Sequence, residues 1–149
     1  MRSGLISKES THLIKIASEV AVGKKNKITI FGNDYPTKDG TAIRDFIHVS
    51  DLADIHVKAA KYLIKQKKSE IINCGYGKGF SVKEVLQKVN ETNIKPIKTE
   101  NGMRRIGDSA ILVSDISKLN RLLKWKPKFN DLSFIIKTAI DWEKKLLKD

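Results

Sequence analysis

Apolar positions along this chain follow two rhythms, one helical and one extended. Leu13, Ile14, Ala17, Val20 and Ala21 recur at helical spacing from Thr11, and Gly23 stands where a C′ stop belongs. Lys27 to Phe31 is a β-branched and aromatic run that predicts a strand. From Gly32 to Thr41 the chain is turn chemistry, with Gly32-Asn33-Asp34, Tyr35-Pro36 and Asp39-Gly40 as its signals. Ala42 to Val49 reads as a second strand. Ser50 or Asp51 then reads as the cap of a helix from Leu52 to about Lys65, with Asp51 and Asp54 near its positive end.

The alternation continues. Glu70 to Cys74 predicts a third strand, followed by the glycine run Gly75-Tyr76-Gly77-Lys78-Gly79-Phe80. Ser81 and Glu84 have capping-box spacing, and Val82, Val85, Leu86 and Val89 form the stripe of the next helix. Lys95 to Thr99 reads as a fourth strand and Asn101 to Ser109 as a basic loop. A short strand at Ile111-Leu112-Val113 leads to a helix around Ile116 to Leu123, broken by Trp125-Lys126-Pro127. Asn130 or Asp131 starts a last helix running to about Leu147. Strands alternating with helices give an α/β class, and the pattern alone shows one domain without repeats or linkers.

Composition narrows this further. At 149 residues, 40% hydrophobic and 31% charged, the chain is long enough for a buried core and is unlike a disordered or disulfide-dense sequence. No run approaches ~18 apolar residues, so no membrane partner is expected. The polar start, Met1-Arg2-Ser3-Gly4-Leu5-Ile6-Ser7-Lys8-Glu9, lacks the apolar core of a signal peptide, and Cys74 has no second cysteine. Both point to a cytoplasmic setting.

Charge changes the picture less than its size suggests. The net +12 could indicate nucleic acid, an acidic surface or an anionic small ligand. Yet 24 of the 29 basic residues are lysines, scattered with no run longer than a pair. Solvated faces explain them, and no groove-entering motif or stacking platform supports nucleic-acid binding. The five arginines are Arg2, Arg44, Arg104, Arg105 and Arg121. A planar guanidinium matches phosphate bidentately, so these few positions carry the stronger signal.

Three constellations could carry chemistry. The glycine run follows a strand and precedes a capped helix, with Glu100 about 20 residues on, as a dinucleotide fingerprint would have it. Its third position is Phe80 rather than glycine, which favours a plain tight turn. Arg44, delivered by the long turn, is either an anion contact or an ion-pair partner of Asp45 or Asp39. Arg104-Arg105-Ile106-Gly107-Asp108 is either a nucleotide-diphosphate loop or an exposed basic loop with a balancing acid. His48 and His56, eight residues apart without further ligands at suitable spacing, make no metal site. No nucleophile elbow or P-loop occurs.

The run Ile30-Phe31-Gly32-Asn33-Asp34-Tyr35-Pro36-Thr37 through Asp39-Gly40-Thr41, Ile43-Arg44-Asp45-Phe46-Ile47-His48-Val49 and Asp51-Leu52-Ala53 closely resembles the UDP-glucose 4-epimerases. So does Arg104-Arg105-x-Gly107-Asp108 ahead of Leu123-x-Trp125-Lys126-Pro127, with His12-Leu13-Ile14 and Asn73-x-Gly75-x-Gly77 in order. The likeness runs from about Gly4 to Trp142. It implies the carboxyl-terminal, substrate-binding part of an extended short-chain dehydrogenase/reductase, lacking the N-terminal Rossmann lobe.

The resemblance implies binding roles and no catalytic residue. Leu13 matches a backbone contact to the nucleotide, Thr29 and Phe31 the uracil-lining strand, Arg44 and Arg105 the diphosphate, and Asp108 the ribose. Leu112 matches a sugar-pocket position, where leucine suggests the plain hexose. Met103 replaces a common proline. The family's NAD and its Tyr-x-x-x-Lys pair belong to the other lobe. Here Tyr35, Tyr62 and Tyr76 are followed four residues later by Asp39, Gln66 and Phe80.

The expected partners are a UDP-sugar and a Rossmann lobe, possessed in cis or encoded separately, against which residues 42–66 would pack. The family's dimer interface is expected to be missing. A catalytically inert remnant and a separately encoded binding module remain open beside an epimerase portion. In isolation the chain should leave an apolar face exposed, self-associate or be only marginally stable.

Overall fold

The computed structural model describes residues 4–7, 10–93 and 95–148. Met1, Arg2, Ser3, Lys8 and Glu9 of the polar start lie outside them, as do Ile94 and Asp149. The described elements are α1 (Leu13–Ala21), β1 (Ile28–Phe31), β2 (Ile43–Arg44), α2 (Val49–Gln66), β3 (Phe80–Ser81), α3 (Val82–Thr92), β4 (Thr99–Gly102), β5 (Ile111–Leu112), α4 (Ser117–Leu123) and α5 (Leu132–Lys145). Strand β1 pairs in parallel with β4, Ile28 opposite Thr99 and Phe31 opposite Gly102. A second small sheet has the order β3-β2-β5, antiparallel at β2–β3 and parallel at β2–β5.

Alternation along β1 decides what faces where. Ile28 and Ile30 are buried in the main core, while Thr29 and Phe31 point to the other side of the strand. That core joins β1 to α1, α3 and α5 through Ala17, Val85, Val89, Ile136 and Ile140. Burying each of the larger of these side chains stabilises the fold by roughly 1.5–3 kcal/mol. A smaller cluster of Ile55, Tyr76, Leu119, Trp125 and Ile135 attaches α2 and α4.

The capping box of α3 forms as its spacing predicts. Ser81 Oγ accepts from Glu84 N–H at 3.0 Å, and Ser81 N–H donates to Glu84 Oε2 at 2.7 Å. Asp131 caps α5, its Oδ1 accepting from Ser133 N–H at 2.7 Å. The start of α2 differs from expectation. Its cap is His48, whose Nδ1 accepts from Ser50 N–H at 3.1 Å. Asp51 is instead fully buried, taking the amides of Lys128 and Phe129 and the Tyr76 hydroxyl at 2.7 Å.

The strands are shorter than predicted. Only Ile43 and Arg44 of the stretch 42–49 find ladder partners, because β3 and β5 are two residues long. Residues 70–74 have no strand partner among the described residues, so β propensity there yields extended chain without a ladder. The fourth strand is displaced from Lys95–Thr99 to Thr99–Gly102, where β1 offers its edge.

Helix α2 is apolar on two sides. Ile55 faces the small cluster, but Val49, Ala53, Val57, Ala60 and Ile64 form an outer stripe. Val49, Val57 and Ile64 are 71%, 54% and 75% exposed. No described helix is long and apolar enough to cross a membrane.

Candidate functional site

A cleft of about 1320 Å³ opens between α1, β1, the start of α2, the basic loop and α5. Leu13, Thr29, Phe31, Arg44, Arg105 and Asp108 all line it. Six of the seven positions singled out in the sequence thus converge, although they come from four separate stretches of chain. Leu112 is the exception. It pairs with Arg44 in the β2–β5 ladder, but it is not among the lining residues and is largely exposed.

Local chemistry delivers Arg44. The turn before it is stapled by Tyr35 N–H to Gly40 O at 2.9 Å and by Asp39, which takes the Thr41 amide and hydroxyl and the Ser81 hydroxyl. Gly40 adopts φ +80, a left-handed conformation that a Cβ would strain. Burial works against the Asp39 carboxylate, but these donors hold its pKa below the ordinary value. With Asp39 so engaged, Arg44 turns elsewhere. It donates to Ser109 O at 2.8 Å and pairs with Asp108 Oδ1 at 3.3 Å.

Asp45 is not the partner of Arg44 either. Its carboxylate accepts from Tyr76 N–H at 3.0 Å and Gly77 N–H at 3.0 Å. The glycine run therefore wraps an acid of its own chain. Amides taken by Asp45 are not available to a pyrophosphate, so this run does not fit NAD. Glu100 has no ribose role in that arrangement. It accepts from Thr29 Oγ1 at 2.7 Å and pairs with Lys27, which with Thr29 lowers its pKa.

The site's aromatic wall is already covered. The Arg105 guanidinium lies 4.0 Å from the centroid of the Phe31 ring, a cation–π distance. Arg104, its neighbour, is absent from the cleft lining and stacks 4.2 Å over Tyr35. Gly107, at φ +83, reverses the loop so that Asp108 returns towards Arg44.

The sequence reading missed two contributors. Helix α5, which the sequence pattern predicted only as a last helix, supplies Ile135, Thr138, Ala139 and Trp142 to the cleft. His48 also lines it, buried against Phe129 and Phe134 with Nε2 3.2 Å from Thr138 Oγ1. Burial holds the His48 pKa below its ordinary value, with Asp51 opposing in part. His56 instead meets the Leu52 carbonyl on the surface of α2. At the far end an ion cluster ties α1 to α5. Lys15 and Lys24 both meet the buried Glu143, and Lys15 and Lys25 meet Glu19. Burial disfavours the Lys15 ammonium, yet its two carboxylate partners raise its pKa.

The chain that carries this cleft has known relatives. Residues 6–137 match the family described as GDP-mannose 4,6 dehydratase, and the chain belongs to that family. Its relatives include 4-epimerases. The UDP-glucose 4-epimerase of Azospirillum brasilense is 42% identical over 145 residues, which is 97% of this chain and 42% of that protein. The solved UDP-Glc/GlcNAc 4-epimerase of Campylobacter jejuni is 48% identical with a TM-score of 0.82, covering 95% of this chain and 43% of its own. The UDP-glucose 4-epimerase of Bifidobacterium longum, solved with NAD+ and UDP, is 34% identical with a TM-score of 0.79, covering 90% and 39%. The chain thus spans about two fifths of these relatives, and its fold is that of their carboxyl-terminal part. NAD is the cofactor of the parent family.

Proposed function

We propose that this chain is the UDP-sugar-binding portion of a UDP-glucose/UDP-galactose 4-epimerase. The observation that carries the reading is the convergence of Phe31, Arg44, Arg105 and Asp108 on one cleft. Uracil would lie on the Phe31 face beside Thr29 and the backbone at Leu13. The diphosphate would draw Arg105 off the ring and share it with Arg44, while Asp108 accepts from the ribose hydroxyls. In the reaction, the C4 hydride would pass to NAD held by the other lobe while a base there takes the O4 proton, and both would return with the hydride on the other face of the 4-keto sugar. This chain's residues bind and orient the substrate. The hydride acceptor and the tyrosine–lysine acid–base pair belong to a Rossmann lobe.

Residues 42–66 are the docking segment for that lobe, with the outer stripe of α2 as its apolar face. By the resemblance alone, Leu112, which lies outside this cleft, would favour the plain hexose. The relative described as a UDP-Glc/GlcNAc 4-epimerase makes UDP-N-acetylglucosamine the informative competitor.

Calorimetric titration with UDP tests the reading. Binding should weaken by roughly 1.5–3 kcal/mol in Arg44→Ala or Arg105→Ala, the worth of one charge-assisted hydrogen bond. No heat with UDP, or full retention of affinity in both variants, would overturn it.

A further inference from the structure

We infer that Arg104 is a positioning residue, which sets Arg105 and Asp108 for the ligand without touching it. The inference rests on the UDP reading of the cleft and assigns a role to a residue outside the cleft. The loop that carries Arg105 and Asp108 has little to hold it. The β1–β4 ladder reaches its last bond where Gly32 N–H donates to Gly102 O at 3.0 Å. Beyond that point Met103 and Ile106 are 90% and 105% exposed, so the loop has no apolar anchor of its own. Within it, Asp108 N–H donates to Arg105 O at 3.2 Å.

Two arginines pin this loop at its ends. At the exit Arg44 donates to Ser109 O. At the entrance Arg104 Nε donates to Asp34 Oδ1 at 2.6 Å, and a second guanidinium nitrogen donates to the Asp34 carbonyl oxygen. Its plane rests on the Tyr35 ring, which is 5% exposed and fixed by the bond from Tyr35 N–H to Gly40 O. The Tyr35 hydroxyl has no partner among the described residues, so the ring rather than the phenol is the functional part. Gly32 leaves room for the stack. A Cβ there would come within 2.6 Å of Tyr35 Cε2 and 2.7 Å of Arg104 Cγ.

The adjacent arginines therefore divide the work. Arg105 turns into the cleft and Arg104 turns out, onto the preceding turn. A loop already ordered does not charge its ordering entropy to the ligand. Losing the pin should weaken every ligand that uses the loop, whether or not it carries phosphate. Losing Arg105 should weaken phosphate-bearing ligands selectively.

Parallel titrations of the chain with UDP and with uridine separate these outcomes. Arg104→Ala is expected to lower affinity for both by the same factor, about five- to tenfold for an exposed ion pair plus a cation–π stack. Arg105→Ala is expected to cut UDP affinity and leave uridine much less affected. Asp34→Ala combined with Arg104→Ala should be no worse than Arg104→Ala alone. Tyr35→Leu should follow Arg104→Ala, and Tyr35→Phe, which keeps the ring, should restore affinity. Faster amide exchange confined to 103–109 in Arg104→Ala would show a released loop in an otherwise intact fold. UDP binding that is indifferent to Arg104→Ala, or a loss for UDP with none for uridine, would overturn the positioning role. Failure of the parent chain itself to bind UDP would instead overturn the reading of the site.

Discussion

Helices α3 and α2 both carry apolar stripes, and the stripes end in different surroundings. Val85, Leu86 and Val89 of α3 are sealed among α1, α5 and β1. In α2 the inward side chain Ile55 is buried, while Val57 and Ile64 stand in solvent on the opposite side and the exposed Val49 borders the cleft. An amphipathic pattern declares that a helix has a partner without saying whether the partner is in the same chain. For α3 the partner is present. For α2, the small cluster covers the Ile55 side, and the buried Asp51 carboxylate ties the helix start to the amides of Lys128 and Phe129.

That contrast can be broken at its strongest point first. Asp51→Ala would leave the amides of Lys128 and Phe129 and the Tyr76 hydroxyl without their acceptor. We expect a loss of about 4 kcal/mol in chemical denaturation, with the α2 amides exchanging before those of α3. A loss below about 1 kcal/mol would mean that apolar packing, not Asp51, holds the helix. Next comes a paired comparison. Ile136→Ala, in the main core, should cost about 3 kcal/mol, whereas Ile64→Ala on the outer stripe should change stability by less than about 0.5 kcal/mol. Equal costs would show that the outer face is covered, for instance by a second copy.

The smallest effect concerns pH. His48 is held neutral by burial, so its folded pKa lies below the ordinary 6.5. The unfolded chain therefore takes a proton first as the pH falls. The His48 contribution is complete above about 6.5 and is lost as the pH drops through the folded pKa. Between pH 7 and 5.5 stability should decline by up to about 1 kcal/mol, and His48→Asn should flatten that slope. A slope unchanged in the variant would place the titration elsewhere.

Helices were legible where their signals were local. The α3 capping box and the Asp131 cap of α5 lie within a few residues of the elements they start. The α2 cap was misassigned because Asp51 satisfies cap statistics as well as a buried acceptor does. Its real partners, the amides of Lys128 and Phe129, lie far along the chain. Strand lengths failed for the same reason, since a ladder is set by the partner: 42–49 has the right residues but only two bridged positions. For the site, residue chemistry alone left Arg44 between an anion and a neighbouring acid. The resemblance chose its role, while the structure shows the acid it meets is Asp108. Arg104 was grouped with Arg105 because adjacency in sequence hides opposite directions in space. Asp34 and Tyr35 had read only as turn residues.

We propose that β1 and the arginine loop bind the nucleotide, while the outer stripe of α2 beyond the cleft docks a lobe. Amide exchange mapped along the chain with and without saturating UDP tests it most directly. The account predicts protection at Thr29–Phe31 and across 104–109, with α2 exchanging as before. Protection centred on α2 or the glycine run, with none at β1 and the arginine loop, would contradict it.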